Sequence, residues 1–170
     1  GCRLEENPSK FRELLDKYHE IIMYLIFGVA TTVVSWIVYG VAIHAIISSG
    51  GFGPLWKLSA ETVNIDVANI ISWIISVTFA FITNKLWVFE SKSWARDKVW
   101  KEAWTFYGGR VFTGVLELIL MPLLVSWGLN MTLLKVEYFP AKIIVSVVII
   151  ILNYLLSKFI SFKKPPEAAE

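Results

Sequence analysis

The sequence predicts an all-α polytopic membrane protein with four transmembrane helices, and three observations carry that prediction. The chain holds more apolar side chain than one aqueous core can hide, it contains four charge-poor runs of spanning length, and most of its basic residues fall on one side of those runs. Of its 170 residues, 56% are hydrophobic, and the mean hydropathy is +0.60. An ordinary soluble domain is less apolar, and a chain this short leaves much of its surface exposed when it folds in water. A bilayer removes the conflict.

The elements follow in chain order. Gly1-Cys2-Arg3 lacks a methionine and reads as a cloning remnant or a trimmed terminus, outside the functional reading. Within residues 1–20, Phe11, Leu14, Leu15 and Tyr18 recur at helical spacing among charges and lead to Ile22. Ser9 to Glu20 therefore reads as an amphipathic interfacial helix on the cytoplasmic side. No charged side chain occurs from Ile21 to Trp56, and 21–47 is the first span. At helical rise it extends roughly 40 Å, enough to cross a hydrocarbon core of about 30 Å with tilt. Ser48-Ser49-Gly50-Gly51 and Gly53-Pro54 end it. The further spans are 67–84, 107–128 and 141–159, the last flanked by Lys142 and Lys158, whose stems can reach the interface. Trp94, Trp100 and Trp104, mixed with Lys and Arg, suit the headgroup layer. Residues 21–164 are expected to form a single four-helix transmembrane domain, with 165–170 as a cytoplasmic tail.

Charge sets the orientation. Arg3, Lys10, Arg12 and Lys17 precede the first span; Lys85, Lys92, Arg96, Lys98, Lys101 and Arg110 surround the middle loop; Lys158, Lys163 and Lys164 close the chain. These are thirteen of the sixteen basic residues, leaving Lys57, Lys135 and Lys142 opposite. The positive-inside rule then places both termini and the middle loop in the cytoplasm; the cytoplasmic membrane is the expected location. An even number of spans is required.

A weak internal repeat runs through this pattern. Phe81, Asn84-Lys85 and Phe89 near the end of span two match Tyr154, Ser157-Lys158 and Phe162 in and after span four, at a constant offset of 73. Phe27-Gly28 similarly resembles Tyr107-Gly108. Two parallel-related helix pairs, as in parallel-repeat transporters, would produce such matches.

Polar residues in the spans mark the face turned away from lipid, because a polar group facing hydrocarbon is costly. Span one carries Thr31, Thr32, Ser35 and Tyr39; span two carries Ala68, Ser72, Ser76, Ala80 and Asn84, with Asn69 beside the first. Span three carries Arg110, Thr113, Glu117 and Met121, and span four Lys142, Ser146, Asn153 and Ser157. Four such stripes can face one centre. Helix packing accounts for Ser35, Ser72 and Ser76. Glu117 asks for more, since a carboxylate at mid-span opposes insertion by about 3 kcal/mol. Arg110 precedes it by seven residues on the same face and reads equally as an interfacial anchor or an anion ligand. Lys85 and Lys158 read first as anchors, while Asn84 and Asn153 suit neighbouring helices or a ligand headgroup. Lys142 stands on the side with few cations. Arg grips phosphate in a planar fork and Lys supplies a point charge.

Several function classes are disfavoured. A net charge of +2 gives no field to recruit nucleic acid. Cys2 is the sole cysteine, which excludes an intramolecular disulfide and a cysteine-rich metal site. No paired metal ligands, no nucleophile beside a base and no glycine-rich phosphate loop occur, so neither an enzyme nor a cofactor is expected.

These residues resemble the GtrA-like family of small four-span membrane proteins. The resemblance rests on Phe27-Gly28 with Thr31-Thr32, then Ala80-Phe81 followed by Asn84-Lys85 and Trp87-Val88-Phe89. It continues with Arg110, Thr113, Glu117 and Met121, and with Asn153-Tyr154, Lys158 and Phe162, covering Tyr24 to Lys163. Asn-Lys-x-Trp-x-Phe is its most specific piece. The acid is more often Asp in the family, so Glu117 departs from the pattern. The resemblance implies movement of a polyprenyl-phosphate-linked monosaccharide made by a cytoplasmic enzyme, with a functional link to a membrane glycosyltransferase, for modification of O-antigen, teichoic acid or another surface glycan.

The leading expectation is therefore a flippase for that lipid, or an obligatory part of one. Arg110 and Lys85 would meet the phosphate from the cytoplasm, Lys142 would receive it outside, and Glu117, Asn153, Asn84, Asn69 and Thr113 would serve the sugar or the path. Two other readings stay open: a proton-coupled small-molecule transporter using Glu117, and a non-transporting scaffold for a glycosyltransferase. Four short helices make a narrow bundle, so a homodimer lining a wider path is compatible with either transport reading.

Overall fold

The computed structural model describes residues 8–128 and 139–163, without the side chains of residues 8–11, 13, 14, 139 and 142. The described residues form four long helices: α1 (Pro8–Ser48), α2 (Ala60–Thr83), α3 (Arg96–Ser126) and α4 (Phe139–Leu156). All four are long and apolar enough to cross a membrane, and the protein is a multi-pass membrane protein. Its chain divides into two compact units, one ending at Glu90 and one beginning at Ser91. Each unit is a helical hairpin.

In the first unit the expected interfacial helix and first span are one continuous helix, α1. Leu15, Tyr18 and Ile22 are exposed on it; the Phe11 and Leu14 side chains lie outside the described residues. Gly50 and Gly51 end α1 at φ of 99° and 69°. Their amides return to the carbonyls of Ile47 and Ile46 at 3.1 and 2.8 Å, the hydrogen-bond pair of a Schellman cap. The Asn64 side chain accepts from the Phe52 amide at 2.6 Å and ties the connection to α2. Helix α2 opens on Ser59, whose hydroxyl caps the Thr62 amide. It therefore starts well before the apolar run at 67, because a capped polar turn continues as helix into the headgroup layer.

The helices of this hairpin run antiparallel and are held along their length. The Ser35 and Ser72 hydroxyls are 2.9 Å apart, and Ser72 also donates to the Ser35 carbonyl at 2.7 Å. Nearer the other end Tyr24 packs against Phe89, with ring centroids 6.5 Å apart, and Phe27 stacks on Trp87 at 5.4 Å. Small side chains Ala68, Ser72, Ser76 and Ala80 are buried along α2, as close helix approach requires.

The second unit repeats the plan. Helix α3 begins at Arg96, not at the apolar boundary near 107, and carries exposed Trp100 and Trp104 out of the apolar stretch. Phe106 packs against Phe162 at 5.8 Å. Ala141 and Val145 of α4 are fully buried. Pro122 sits within α3, a position that membrane helices tolerate.

Both units finish alike. Residues Asn84–Val88 and Ser157–Ser161 each form one turn of π-helix, closed by the Phe89 and Phe162 amides on the Asn84 and Ser157 carbonyls, both at 2.8 Å. These are the segments that matched at an offset of 73, so the repeat is structural. Ala68 and Ala141, the same offset apart, are both fully buried. The first helices align differently from the sequence match. Because Tyr24 packs on Phe89 and Phe106 packs on Phe162, the equivalent residues of α1 and α3 are Tyr24 and Phe106, not Phe27 and Tyr107. Phe27 then corresponds to Gly109, Thr31 to Thr113 and Ser35 to Glu117.

Candidate functional site

Helix α3 builds a polar line from the residues that sequence spacing placed on one face. Thr113 is buried and donates its hydroxyl to Asn153 Oδ1 of α4 at 2.9 Å. It also reaches the Arg110 carbonyl at 3.2 Å. Asn153 is buried too, so this hydrogen bond joins the helices inside the second unit. One turn toward the N-terminus, Arg110 is half-buried with its guanidinium 5.1 Å from the centre of the Phe106 ring. That contact holds the cation beside an aromatic face. One turn the other way, Glu117 is half-buried. Arg110, Thr113 and Glu117 thus share a face with the interhelical bond at its centre.

The first unit offers a second polar group at its π-turn. Lys85 is fully buried, which an interfacial anchor with its amine in water would not be. Asn84 is buried, and its amide donates to the Ala80 carbonyl at 2.6 Å. Its Oδ1 is buried with no hydrogen-bond partner among the described residues. A buried acceptor left unpaired is unfavourable, so Asn84 is poised to receive a donor. The π-turn accounts for this placement, since wide turns carry residues off the regular helical face and recur at functional sites. Lys158, the repeat partner of Lys85, is half-buried instead, and its amine donates to the Tyr154 hydroxyl at 3.1 Å.

The remaining expected residues fall elsewhere. Asn69 is exposed, one position off the buried line of α2. Lys142 belongs to α4 by its backbone, and its side chain lies outside the described residues. Ser35 and Ser72 bond across α1 and α2, while Ser76, buried on the same face of α2, donates within its own helix to the Ser72 carbonyl at 2.6 Å. Sequence reasoning passed over Glu102. It is buried at the start of α3, accepts from the Ser91 hydroxyl at 2.6 Å and lies 3.9 Å from the Lys98 amine. Its signal was the Lys98–Glu102 spacing of four on a helix. No group of His, Cys, Asp and Glu side chains that could hold a metal ion occurs among the described residues.

Comparison with known proteins supplies context for this geometry. The family model described as GtrA/DPMS, transmembrane domain, matches residues 23–162. The cell wall teichoic acid glycosylation protein GtcA of Listeria innocua serovar 6a is 35% identical, covering 91% of this chain and 97% of its own. GtcA of Listeria monocytogenes is 34% identical over the same shares. The uncharacterized membrane protein YwcD of Bacillus subtilis is 36% identical, over 85% of this chain and 98% of its own. No solved structure matches the chain.

Proposed function

The chain belongs to the GtrA/DPMS transmembrane-domain family, and from that premise we propose that it moves a polyprenyl-phosphate-linked monosaccharide across the cytoplasmic membrane, alone or as an obligatory component. The sugar would serve glycosylation of teichoic acid or another surface polysaccharide. The similarity to relatives named for teichoic acid glycosylation supports this role. Both termini face the cytoplasm in this reading, where a membrane glycosyltransferase loads the lipid.

The observation that carries the proposal is the polar line of α3, with Arg110, Thr113 and Glu117 on one face and Thr113 bonded to Asn153. A phosphate needs a cation, and Arg110 supplies a planar fork. Sugar hydroxyls need donors and acceptors at intermediate depth, and Glu117 and Asn153 supply them while the polyprenyl tail stays in lipid. The unpaired Asn84 Oδ1 is a further acceptor that a hydroxyl would satisfy. Lys85 and Lys142 are the cations assigned to phosphate at the cytoplasmic and outer rims.

The test is transbilayer movement of undecaprenyl-phosphate-glucose and related lipids in vesicles reconstituted with the purified protein. Glu117→Gln and Arg110→Ala should each slow the initial rate by about tenfold or more, the loss of one interaction made during passage. A wild-type protein that fails to accelerate movement of any such lipid refutes the function. Unchanged rates in both variants refute the residue roles.

A further inference from the structure

The two units differ at one place where the repeat makes them comparable. In the first unit, Phe27 of α1 stacks on Trp87 of the π-turn, rings 5.4 Å apart and nearly parallel. The equivalent residues of the second unit are Gly109 and Ile160. Two aromatic rings have become a glycine and an aliphatic chain, and the space they filled is open. A groove of about 350 Å³ lies there, lined by Trp104, Gly108, Gly109, Phe112, Leu156 and Ile160.

Packing does not require its two glycines. A Cβ on Gly109 would meet the Leu156 side chain at 3.6 Å, an ordinary contact, and one on Gly108 would meet nothing within 4 Å. Neither glycine has a positive φ. Glycine inside a helix is less favourable than alanine by about 1 kcal/mol, and here consecutive glycines do one visible thing: they keep the groove open.

Charge sits at one end. Lys101 lies on the same face of α3 as Trp104, Gly108 and Phe112, one turn beyond the groove, and is exposed. Lys163 follows Ile160 by three residues and is also exposed. Because Phe106 packs on Phe162, both lysines stand at the same end of this antiparallel hairpin. An apolar trough on membrane-spanning helices that runs into two cations matches an amphiphile with a hydrocarbon chain and an anionic head.

We propose that this groove of the second unit binds the polyprenyl chain of a polyprenyl phosphate next to its headgroup, with the phosphate between Lys101 and Lys163. Methyl-branched isoprene units fit the flat faces of Trp104 and Phe112 and the notch above the glycines. The site rests on the lipid-translocation reading and adds to it a tail site beside the polar line, absent from the first unit because Phe27 and Trp87 fill it.

The test reads binding, not transport. The full-length protein is reconstituted in phosphatidylethanolamine–phosphatidylglycerol vesicles with a sugar-free polyprenyl monophosphate carrying a diazirine in an isoprene unit near the phosphate. Cross-linked peptides are mapped by mass spectrometry. Adducts should fall on Trp104–Phe112 and Leu156–Ile160, and unlabelled polyprenyl phosphate should suppress them about tenfold where added phosphatidylglycerol does not. The variant Gly109→Phe with Ile160→Trp, which rebuilds the first unit's pair, should lower the yield by a similar factor. Ile160→Trp alone, at an exposed position, should lower it in part and guards against misfolding of the double variant. Adducts centred on Phe27 and Trp87, equal competition by phosphatidylglycerol, or undiminished labelling in both variants overturns the proposal. Specific labelling without transport would leave the tail site standing and remove only the translocation reading. Normal transport with no labelling of the groove would do the reverse.

Discussion

Replacing Thr113 by Val removes the hydroxyl that joins α3 to α4 and keeps the side-chain shape. The wild-type hydrogen bond to Asn153 is 2.9 Å long between two buried residues, so water cannot readily replace the lost donor. Interhelical hydrogen bonds in membranes contribute about 0.6 kcal/mol on average and up to about 1.7. Leaving a buried acceptor unpaired adds a desolvation penalty of about 1–3 kcal/mol. Together these set the expected loss for Thr113→Val at about 2–4 kcal/mol. Asn153→Leu should cost less, because the Thr113 hydroxyl it leaves behind can fall back on the Arg110 carbonyl at 3.2 Å. The double variant strands neither group. Its loss should be smaller than the sum of the single losses, by a coupling of about 1 kcal/mol. Reversible unfolding in bicelles, followed by steric trapping of the α3–α4 pair, measures all corners of the cycle. Strictly additive losses would show that the two side chains are not coupled, and the centre of the proposed polar line would fall with that result.

Other contacts give separate expectations. Ser72→Ala breaks both links to Ser35 and should destabilise the first unit by about 0.6 kcal/mol when the α1–α2 pair is steric-trapped instead, with lipid movement unaltered once folded protein is compared. Ser91→Ala removes the donor at 2.6 Å from the buried Glu102; a loss of about 1–3 kcal/mol should appear as faster proteolysis of the segment between Glu90 and Arg96, and an unchanged cleavage rate would deny the contact any role.

The spans and the buried faces were legible in the sequence because hydrocarbon enforces them. Thr113, Asn153, Ser72 and Asn84 are buried, each on the stripe that polar spacing marked, since those side chains have few other places to go in a bilayer. Helix ends were less legible. Charged and aromatic residues at 96–106 end an apolar run without ending a helix, because helix formation needs backbone hydrogen bonds and not hydrophobicity. The two π-turns left only a trace, the matched ends at an offset of 73; a wide turn depends on tertiary packing that spacing alone does not encode. That is why Lys85 read as an anchor yet is fully buried. Glu102 was missed for a related reason: its donor, Ser91, lies across a loop whose path no periodicity describes.

The repeat also shows how one unit came to differ from the other. In register, Gly28 stands where Arg110 does, Ser35 where Glu117 does, and Ala80 where Asn153 does; only Thr31 and Thr113 are the same residue. The same side chain behaves differently in the two settings. Thr113 reaches across to Asn153 at 2.9 Å, whereas Thr31 turns back to the Phe27 carbonyl of its own helix at 2.7 Å, because Ala80 has no side-chain acceptor. At these equivalent positions the second unit carries a cation, a carboxylate and an interhelical bond, where the first carries Gly28, Ser35 and Ala80. Headgroup handling should therefore be unequal between equivalent positions. Thr31→Val removes a local bond that competes with the helix's own backbone pairing, and its effect on stability should stay within about 0.5 kcal/mol. Its lipid-movement rate should remain within about twofold of wild type. Thr113→Val, matched in chemistry and repeat position, should slow movement by several times that factor in the same vesicles. Equal slowing by both substitutions would mean that the units share the headgroup evenly, and the assignment of the polar line to the second unit would have to be abandoned.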